Sequence, residues 1–307
     1  MGMKIFVTGG SGFIGRHTVD ALLELGNIVT VYDNQNNSTK DNTKYLIKKG
    51  GKFIKGDITN YKQLVRSISG HDIVIHLAAQ VSVQESIRDP LFTHHVNTRG
   101  TVNLLNACVE QNVKNIVAAS TAAVYGEAKK QPISENTSTN PISPYGVSKI
   151  AMEFYLKTFS SYYDLNCVSL RFFNVYGIGQ SNAYAGVITR FIDCIRKNMP
   201  LVIFGDGSNT RDFVSVKDTI SAIQLTIKKI KGKKGNCYNI ASGKHTSIKE
   251  LADTILSISG KSLQIKYQKE KKGDIRKSQP TILLAKKELG YKPKIDLKQG
   301  LQELIKK

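Results

Sequence analysis

The chain has 307 residues, 40% of them hydrophobic, enough for one large core or for a domain with a smaller companion. Its 44 basic against 24 acidic side chains leave a formal charge of +20. Only nine of the basic residues are arginine, and the lysine runs at 228–234 and 269–272 carry no interleaved aromatics, so the charge reads as solvated surface and no nucleic-acid partner is expected. No apolar run reaches the roughly 18 residues of a membrane span, the N-terminus lacks a signal-peptide layout, and four scattered cysteines form no CxxC pair; a cytoplasmic protein with no metal site and no disulfide framework is expected.

The first predicted strand is "KIFVTG" (4–9). "VTGGSGFIG" (7–15) follows it and opens a predicted helix over 13–25. Two glycine spacings overlap there, Gly10-x-Gly12-x-x-Gly15 and Gly9-x-x-Gly12-x-x-Gly15. Glycine is needed where backbone turns sharply and where a pyrophosphate must touch it, and the helix start then offers free N–H groups and a favourable dipole. The next strand, "NIVTVYD" (27–33), ends on Asp33, 18 residues beyond Gly15. A carboxylate there accepts both hydroxyls of an adenosine ribose and repels a 2′-phosphate, which favours NAD over NADP. "KFIKGD" (52–57) is a third strand; its Asp57 is placed either to reach the adenine amine or simply to make the turn.

A helix over 61–69, a strand "DIVIHLAA" (72–79), a helix over 91–111, a strand "NIVAAST" (115–121), a helix over 145–163 and a strand "NCVSLRFF" (166–173) continue the alternation. Such βαβ units predict an α/β fold with a doubly wound parallel sheet of Rossmann type. The pattern loosens after Asn174: residues 175–218 mix glycines with one helix and two short strands, and amphipathic helices follow at 246–259 and 281–290, the latter stopped by Gly290. The expected division is a dinucleotide-binding domain over 1–174, with 212–241 returning to it, and a smaller C-terminal substrate-binding region from 175–211 and 242–307. A cleft between the two is the default ligand site.

"SPYGVSK" (143–149) places Tyr145 and Lys149 one helical turn apart on one face. Free tyrosine, with a pKa near 10, is a poor base at neutral pH. An ammonium about 4 Å away, at an effective dielectric near 20, contributes about 4 kcal/mol, or about three pKa units. With the positive charge of an oxidised nicotinamide added, Tyr145 is expected to approach the range where proton transfer is efficient. The preceding strand ends on Ser120-Thr121, which supplies a hydroxyl beside it.

The set "TGGSGFIG", Asp33, "HLAA", "STAAVYG", Tyr145-x-x-x-Lys149 and "RFFNVYG" resembles the extended short-chain dehydrogenase/reductase family, and within it the nucleotide-sugar epimerases and dehydratases. The resemblance runs through nearly the whole chain, including "FGDGSNTRDFVSVKD" (204–218). It implies a tightly held NAD that oxidises a sugar hydroxyl, bound by Gly9, Gly12, Phe13, Ile14, Gly15, Asp33, Asn34, Asp57, Ile58, Leu77, Ala78, Ala79, Asn97, Ser120, Tyr145, Lys149 and Phe172, with Thr121, Tyr145 and Lys149 catalytic. It also implies a homodimer through 91–111 and 145–163.

The 4,6-dehydratases of this family carry an Asp-Glu pair after the catalytic threonine, and related decarboxylases keep a Glu; Ala122 and Ala123 stand here. Methyl groups serve neither as acid nor as base, so by elimination the resemblance implies removal and return of a hydride at C4 of a UDP-hexose: a 4-epimerisation. A glucuronate epimerase or another NAD-dependent sugar dehydrogenase or reductase on the same scaffold stays open, as does a non-enzymatic NAD- or nucleic-acid-binding protein that retains the fold, against which the intact Thr121, Tyr145 and Lys149 set speaks. For the substrate, the resemblance implies contacts from Asn174, Val187, Val202, Arg211 to a phosphate, Phe204 stacked on uracil or merely in a core strand, and Asp274 on a ribose. Lys271, where arginine is usual, is left open, as is Ser82, a sugar contact or a loop polar residue. Ser278 aligns with a position where a bulky tyrosine narrows the pocket in some relatives; its small side chain suggests room for an N-acetyl group.

Overall fold

The structure is a computed structural model and describes residues 2–36, 40–180, 186–270 and 273–306. Its strands are β1 (Lys4–Thr8), β2 (Ile28–Asp33), β3 (Lys52–Lys55), β4 (Ile73–His76), β5 (Asn115–Thr121), β6 (Asn166–Phe172), β7 (Asn174–Tyr176), β8 (Leu201–Phe204), β9 (Thr210–Arg211), β10 (Phe213–Ser215), β11 (Lys234–Ile240), β12 (Thr246–Ser247) and β13 (Ile265–Gln268). Its α-helices are α1 (Phe13–Glu24), α2 (Lys40–Lys48), α3 (Tyr61–Ile68), α4 (Val83–Arg88), α5 (Pro90–Thr93), α6 (Gly100–Glu110), α7 (Pro144–Tyr162), α8 (Val187–Arg196), α9 (Val216–Lys228), α10 (Ile248–Ser259), α11 (Leu283–Leu289) and α12 (Leu297–Ile305).

Seven strands form one sheet in the order β11-β6-β5-β4-β1-β2-β3, every pair parallel. The chain starts in the middle, runs out to β3, then returns past β1 to build the other half, so the strand order reverses between β1 and β4. That is where an open α/β sheet leaves a crevice at its carboxyl edge.

The strands read as continuous apolar runs because both faces are covered. In β1, Ile5 and Val7 join a core with α1 and α9, while Phe6 faces the opposite core under α3, α6 and α7. A third cluster lies outside the sheet, where Phe191 and Ile195 of α8 meet Leu201 and Ile203 of β8, Leu251 and Ile255 of α10 and Leu301 of α12. Helix ends follow local chemistry. Ser143 caps α7 by accepting from Gly146 N at 3.1 Å, with Pro144 in the first turn. Ser247 and Glu250 form a capping box on α10, and Gly290 closes α11 at φ 76°, as its position predicts.

Three features depart from the sequence reading. The helix expected over 91–111 is interrupted by a π-helical segment, His94–Arg99, between α5 and α6, which turns Asn97 into the protein. Helices α2, α4, α9 and α12 are not anticipated: α2 is mostly polar, α4 is only six residues long, the β-branched run of α9 imitates a strand, and α12 holds a central glycine. Gly300 is there because a Cβ would lie 2.1 Å from the Tyr176 hydroxyl oxygen. Among the described residues of 174–218 there are four short strands, β7 to β10, where two are expected over 175–218.

Candidate active site

The glycine loop links β1 to α1 at the carboxyl edge of the sheet. Gly9 has φ +69°, and a Cβ on it would meet Ala78 N at 2.6 Å. A Cβ on Gly15 would stand 2.1 Å from Gly9 O, so this glycine lets the helix pack onto the loop. Gly12 is different. Its φ of −71° suits any residue, and the nearest protein atom to a Cβ there is 3.3 Å away. It is also the N-cap of α1, with no side chain capping the helix. An uncapped helix start behind an open glycine fits a pyrophosphate, with Phe13, Ile14 and Gly15 contributing the first turn.

Asp33, buried at the end of β2, accepts from Ser11 N at 2.9 Å and from Gln35 N at 2.7 Å. Burial raises its pKa against these two bonds. Asn34 donates to Asp57 Oδ2 at 2.7 Å, and Thr59 donates to Asp57 Oδ1 through both its amide and its hydroxyl. Burial acts to raise the Asp57 pKa, but these hydrogen bonds hold it below the ordinary value. Ile58 is buried against Gly100, where a Cβ would sit 2.6 Å from its Cδ1. Leu77, Ala78 and Ala79 follow β4, with Ala78 N donating to Thr8 Oγ1 at 3.2 Å. His76 lies beneath them, bonded to Thr8 at 2.8 Å and Thr101 at 3.1 Å, and burial drives its pKa to about 3, so it is a neutral support. Asn97 spends its amide on Gln80, exchanging bonds of 2.8 and 2.9 Å with its backbone, and on Ser148 Oγ at 2.9 Å. It thus pins the chain after β4 to α7.

Thr121, Tyr145 and Lys149 converge. Thr121 ends β5 in extended conformation and accepts from Ala123 N at 3.2 Å, so its oxygen caps the 3₁₀ turn Ala122–Val124. Gly146 lets α7 approach that turn, since a Cβ would meet Ala123 O at 2.8 Å. Tyr145 therefore sits against Thr121, which hydrogen-bonds it. Lys149 is buried and donates to Ala119 O at 2.8 Å. Phe172, the register partner of Thr121 on β6, is buried beside it.

The expected lowering of the Tyr145 pKa is not produced by the polypeptide. Burial pushes it up to about 12, with the Thr121 bond acting the other way. Lys149 is turned to a backbone carbonyl and is itself lowered to about 8 by burial, with Glu153 opposing. The Lys149 charge alone does not bring Tyr145 into range; the positive charge of an oxidised nicotinamide would have to add to it.

Apart from Ser82 and Thr121, which belong to the sheet region, the described candidate substrate residues lie on the smaller assembly and its border with the sheet. Asn174 Nδ2 donates to Asp212 O at 2.9 Å. Arg211 and Asp274 are paired with each other at 2.5 Å, and Arg211 also donates to Thr210 O at 2.9 Å. A phosphate would have to share or replace that carboxylate. Ser278 is buried, and its N–H donates to Thr210 O at 3.2 Å. Val202 and Phe204 alternate with the buried Leu201 and Ile203 in β8, so they face away from the third core. Val187 opens α8. Ser82 caps α4 by accepting from Glu85 N at 3.1 Å. Lys271 lies outside the described residues.

Sequence reading missed the buried polar cluster behind these residues. Glu153 of α7 accepts from Arg171 Nε at 2.9 Å and Nη2 at 2.6 Å, and from Ser120 Oγ at 2.5 Å. Two signals were available: Glu153 follows Lys149 by one helical turn, and Arg171 is a charge inside an apolar strand run.

A glycine loop at the edge of a seven-stranded parallel sheet, an acidic second strand and a converging threonine, tyrosine and lysine define a dinucleotide-dependent enzyme of the doubly wound class. The chain belongs to the NAD dependent epimerase/dehydratase family, whose model matches residues 5–241. It is 39% identical over 305 residues to a putative UDP-glucose 4-epimerase of Methanocaldococcus jannaschii, covering 98% of this chain and 97% of that one. The structure of UDP-glucose 4-epimerase from Thermotoga maritima with UDP-glucose is similar at TM-score 0.94 and 36% identity, covering 99% of this chain and 98% of that one. UDP-N-acetylglucosamine 4-epimerase from Methanobrevibacter ruminantium in complex with UDP-N-acetylmuramic acid is similar at TM-score 0.94 and 35% identity, with 99% and 97% covered.

Proposed function

We propose that the protein is a UDP-hexose 4-epimerase that interconverts UDP-glucose and UDP-galactose. The observation that carries this reading is the convergence of Thr121, Tyr145 and Lys149 beside a turn whose first two residues, Ala122 and Ala123, bring only methyl groups. Bound NAD supplies the acceptor and donor of the C4 hydride. Thr121 holds the 4-hydroxyl, and Tyr145 takes its proton and later restores it. Lys149 supplies positive charge beneath the tyrosine. No acid or base stands at Ala122 or Ala123 to work at C5 and C6, so oxidation is followed by return rather than elimination.

The sheet region holds NAD and the smaller assembly holds the UDP-sugar. Arg211 would face the diphosphate and Asp274 the ribose, trading their mutual ion pair for ligand contacts. The buried small side chain of Ser278 and the resemblance to the Methanobrevibacter enzyme favour acceptance of UDP-N-acetylglucosamine as well. The chain works as a homodimer. Val147, Phe154, Tyr155 and Tyr162 lie exposed along α7, and Leu91 and Phe92 are exposed on the adjoining α5. A cytoplasmic location suits its four free cysteines.

Incubation with UDP-glucose, UDP-N-acetylglucosamine and UDP-glucuronate, with product sugars identified, tests the reading. The 4-epimers of the first two are expected. Net oxidation products, 4-keto-6-deoxy sugars, or turnover of the glucuronate alone would sink it.

A further inference from the structure

Helix α7 carries three functional groups on one face, at successive turns: Tyr145, Lys149 and Glu153. The third belongs to no part of the chemistry described above. Its side chain is 5% exposed, and its partner Arg171 is 7% exposed. The carboxylate is fully engaged: two bonds from Arg171, one of 2.5 Å from Ser120 Oγ, and one of 3.6 Å from Cys237 Sγ. Ser120 is the residue before Thr121 and the register partner of Arg171 in the sheet. Arg171 continues the network to Tyr125 Oη at 2.8 Å, at the far end of the turn that Thr121 caps.

A buried ion pair is a poor device for stability alone, because an apolar pair of similar volume does as well or better. This one is built on the strand end that carries Thr121 and on the helix turn after Lys149. We propose that Glu153 is a positioning residue for the reaction: held by Arg171, its carboxylate fixes Ser120 and the adjoining Thr121 against α7 and keeps Lys149 in its charged form.

The surroundings of Lys149 support the second role. Glu153 and Tyr145 face it from its own helix, the Ala119 carbonyl from β5, and His76 from β4, with Arg171 of β6 behind Glu153. His76 is neutral. Burial pulls the lysine down to about 8, and the carboxylate of Glu153 opposes it. Without that carboxylate the ammonium gives up its proton at lower pH.

The inference rests on the Tyr145–Lys149 reading of the site, so wild-type epimerisation is measured first; its absence would overturn that reading. Glu153→Gln is then compared with wild type by following the ¹³Cε signal of Lys149 through a pH titration of the isolated protein, assigned by its loss in Lys149→Met. The alkaline limb of the kcat profile is recorded in parallel. Because Glu153→Gln leaves Arg171 unpaired and can compromise folding, Glu153→Met/Arg171→Met removes both charges together and is read in the same way. The expected result is a Lys149 midpoint at least one pH unit lower in Glu153→Gln, and lower by a smaller amount in the double variant because the more distant Arg171 charge leaves with the carboxylate, with an alkaline limb displaced in the same sense and a KM within twofold of wild type in whichever variant melts cooperatively. A folded variant with the wild-type Lys149 midpoint and the wild-type kcat profile would overturn the proposal and leave the pair a packing feature.

Discussion

Gly12 and Gly15 belong to one motif, yet the structure gives them different reasons to be glycine. Alanine at Gly15 would place a methyl carbon 2.1 Å from the Gly9 carbonyl oxygen, against an ordinary carbon–oxygen contact of about 3.3 Å. Backbone on both sides must move, so Gly15→Ala is expected to cost at least about 3 kcal/mol. Alanine at Gly12 reaches Gly9 O at 3.3 Å with a φ any residue adopts. Its weaker N-cap preference is offset by a stiffer unfolded chain, and the net change should stay within about 1 kcal/mol. The methyl instead occupies the space in which a pyrophosphate would touch the backbone. NAD at a hundred times its dissociation constant stabilises a protein by about 2.7 kcal/mol, and each tenfold loss of affinity removes about 1.4 of this. Thermal denaturation with and without NAD, paired with calorimetric titration, separates the two cases. Gly12→Ala should melt within about 4 °C of wild type and lose most of the NAD-dependent rise. Wild-type NAD affinity in Gly12→Ala would refute the reasoning, as would destabilisation equal to that of Gly15→Ala.

Tyr145→Phe should lower epimerase kcat by about 10²–10⁴ with an unchanged melting temperature; a smaller kinetic loss would remove the tyrosine from proton transfer. Asp212 is fully buried, and burial raises its pKa to about 6 against several hydrogen bonds; its Oδ2 lacks a partner in the structure. Its folded pKa lies above the ordinary 3.8, so its ionisation disfavours the folded state as pH rises from about 4 to 6. Asp212→Asn should therefore gain on wild type across that window, by on the order of 3 kcal/mol, and level off above it; a pH-independent difference in denaturant midpoints would contradict this. Phe154, 63% exposed on α7, should become a charged break in the proposed dimer face as Phe154→Glu, giving a monomer by light scattering where wild type is a dimer; an unchanged dimer would refute this face as the interface.

The legible parts of this protein are those set by local chemistry. β1, β2, β4, β5 and β6 announce themselves because parallel strands covered on both faces need unbroken apolar runs, and α7 and α10 because their apolar residues recur at helical spacing. Helix α9 is hidden, since Ile220, Ile223 and Ile227 serve a strand as well as a helix face until its packing on α1 decides. The π-helical turn at His94–Arg99 depends on Asn97 reaching Gln80, 17 residues earlier, which no local pattern encodes. Within the site, the spacing of Tyr145 and Lys149 was readable, but their electrostatics were not. The motif alone reads as an ammonium beside a tyrosine in a medium of moderate dielectric, whereas the folded chain buries Lys149, turns it toward Ala119 and leaves Tyr145 half-buried against Thr121. The pairing of Arg211 with Asp274 likewise depends on tertiary contact across 63 positions.

The central claim is that a hydride leaves C4 of the sugar and returns to the same carbon within one active site. UDP-glucose deuterated at C4 tests it most directly, with the product examined by NMR and mass spectrometry while absorbance at 340 nm is followed. The account predicts UDP-galactose that keeps deuterium at C4, with no reduced nicotinamide accumulating over many turnovers. Loss of the label to solvent, or reduced cofactor formed in step with product, would contradict it.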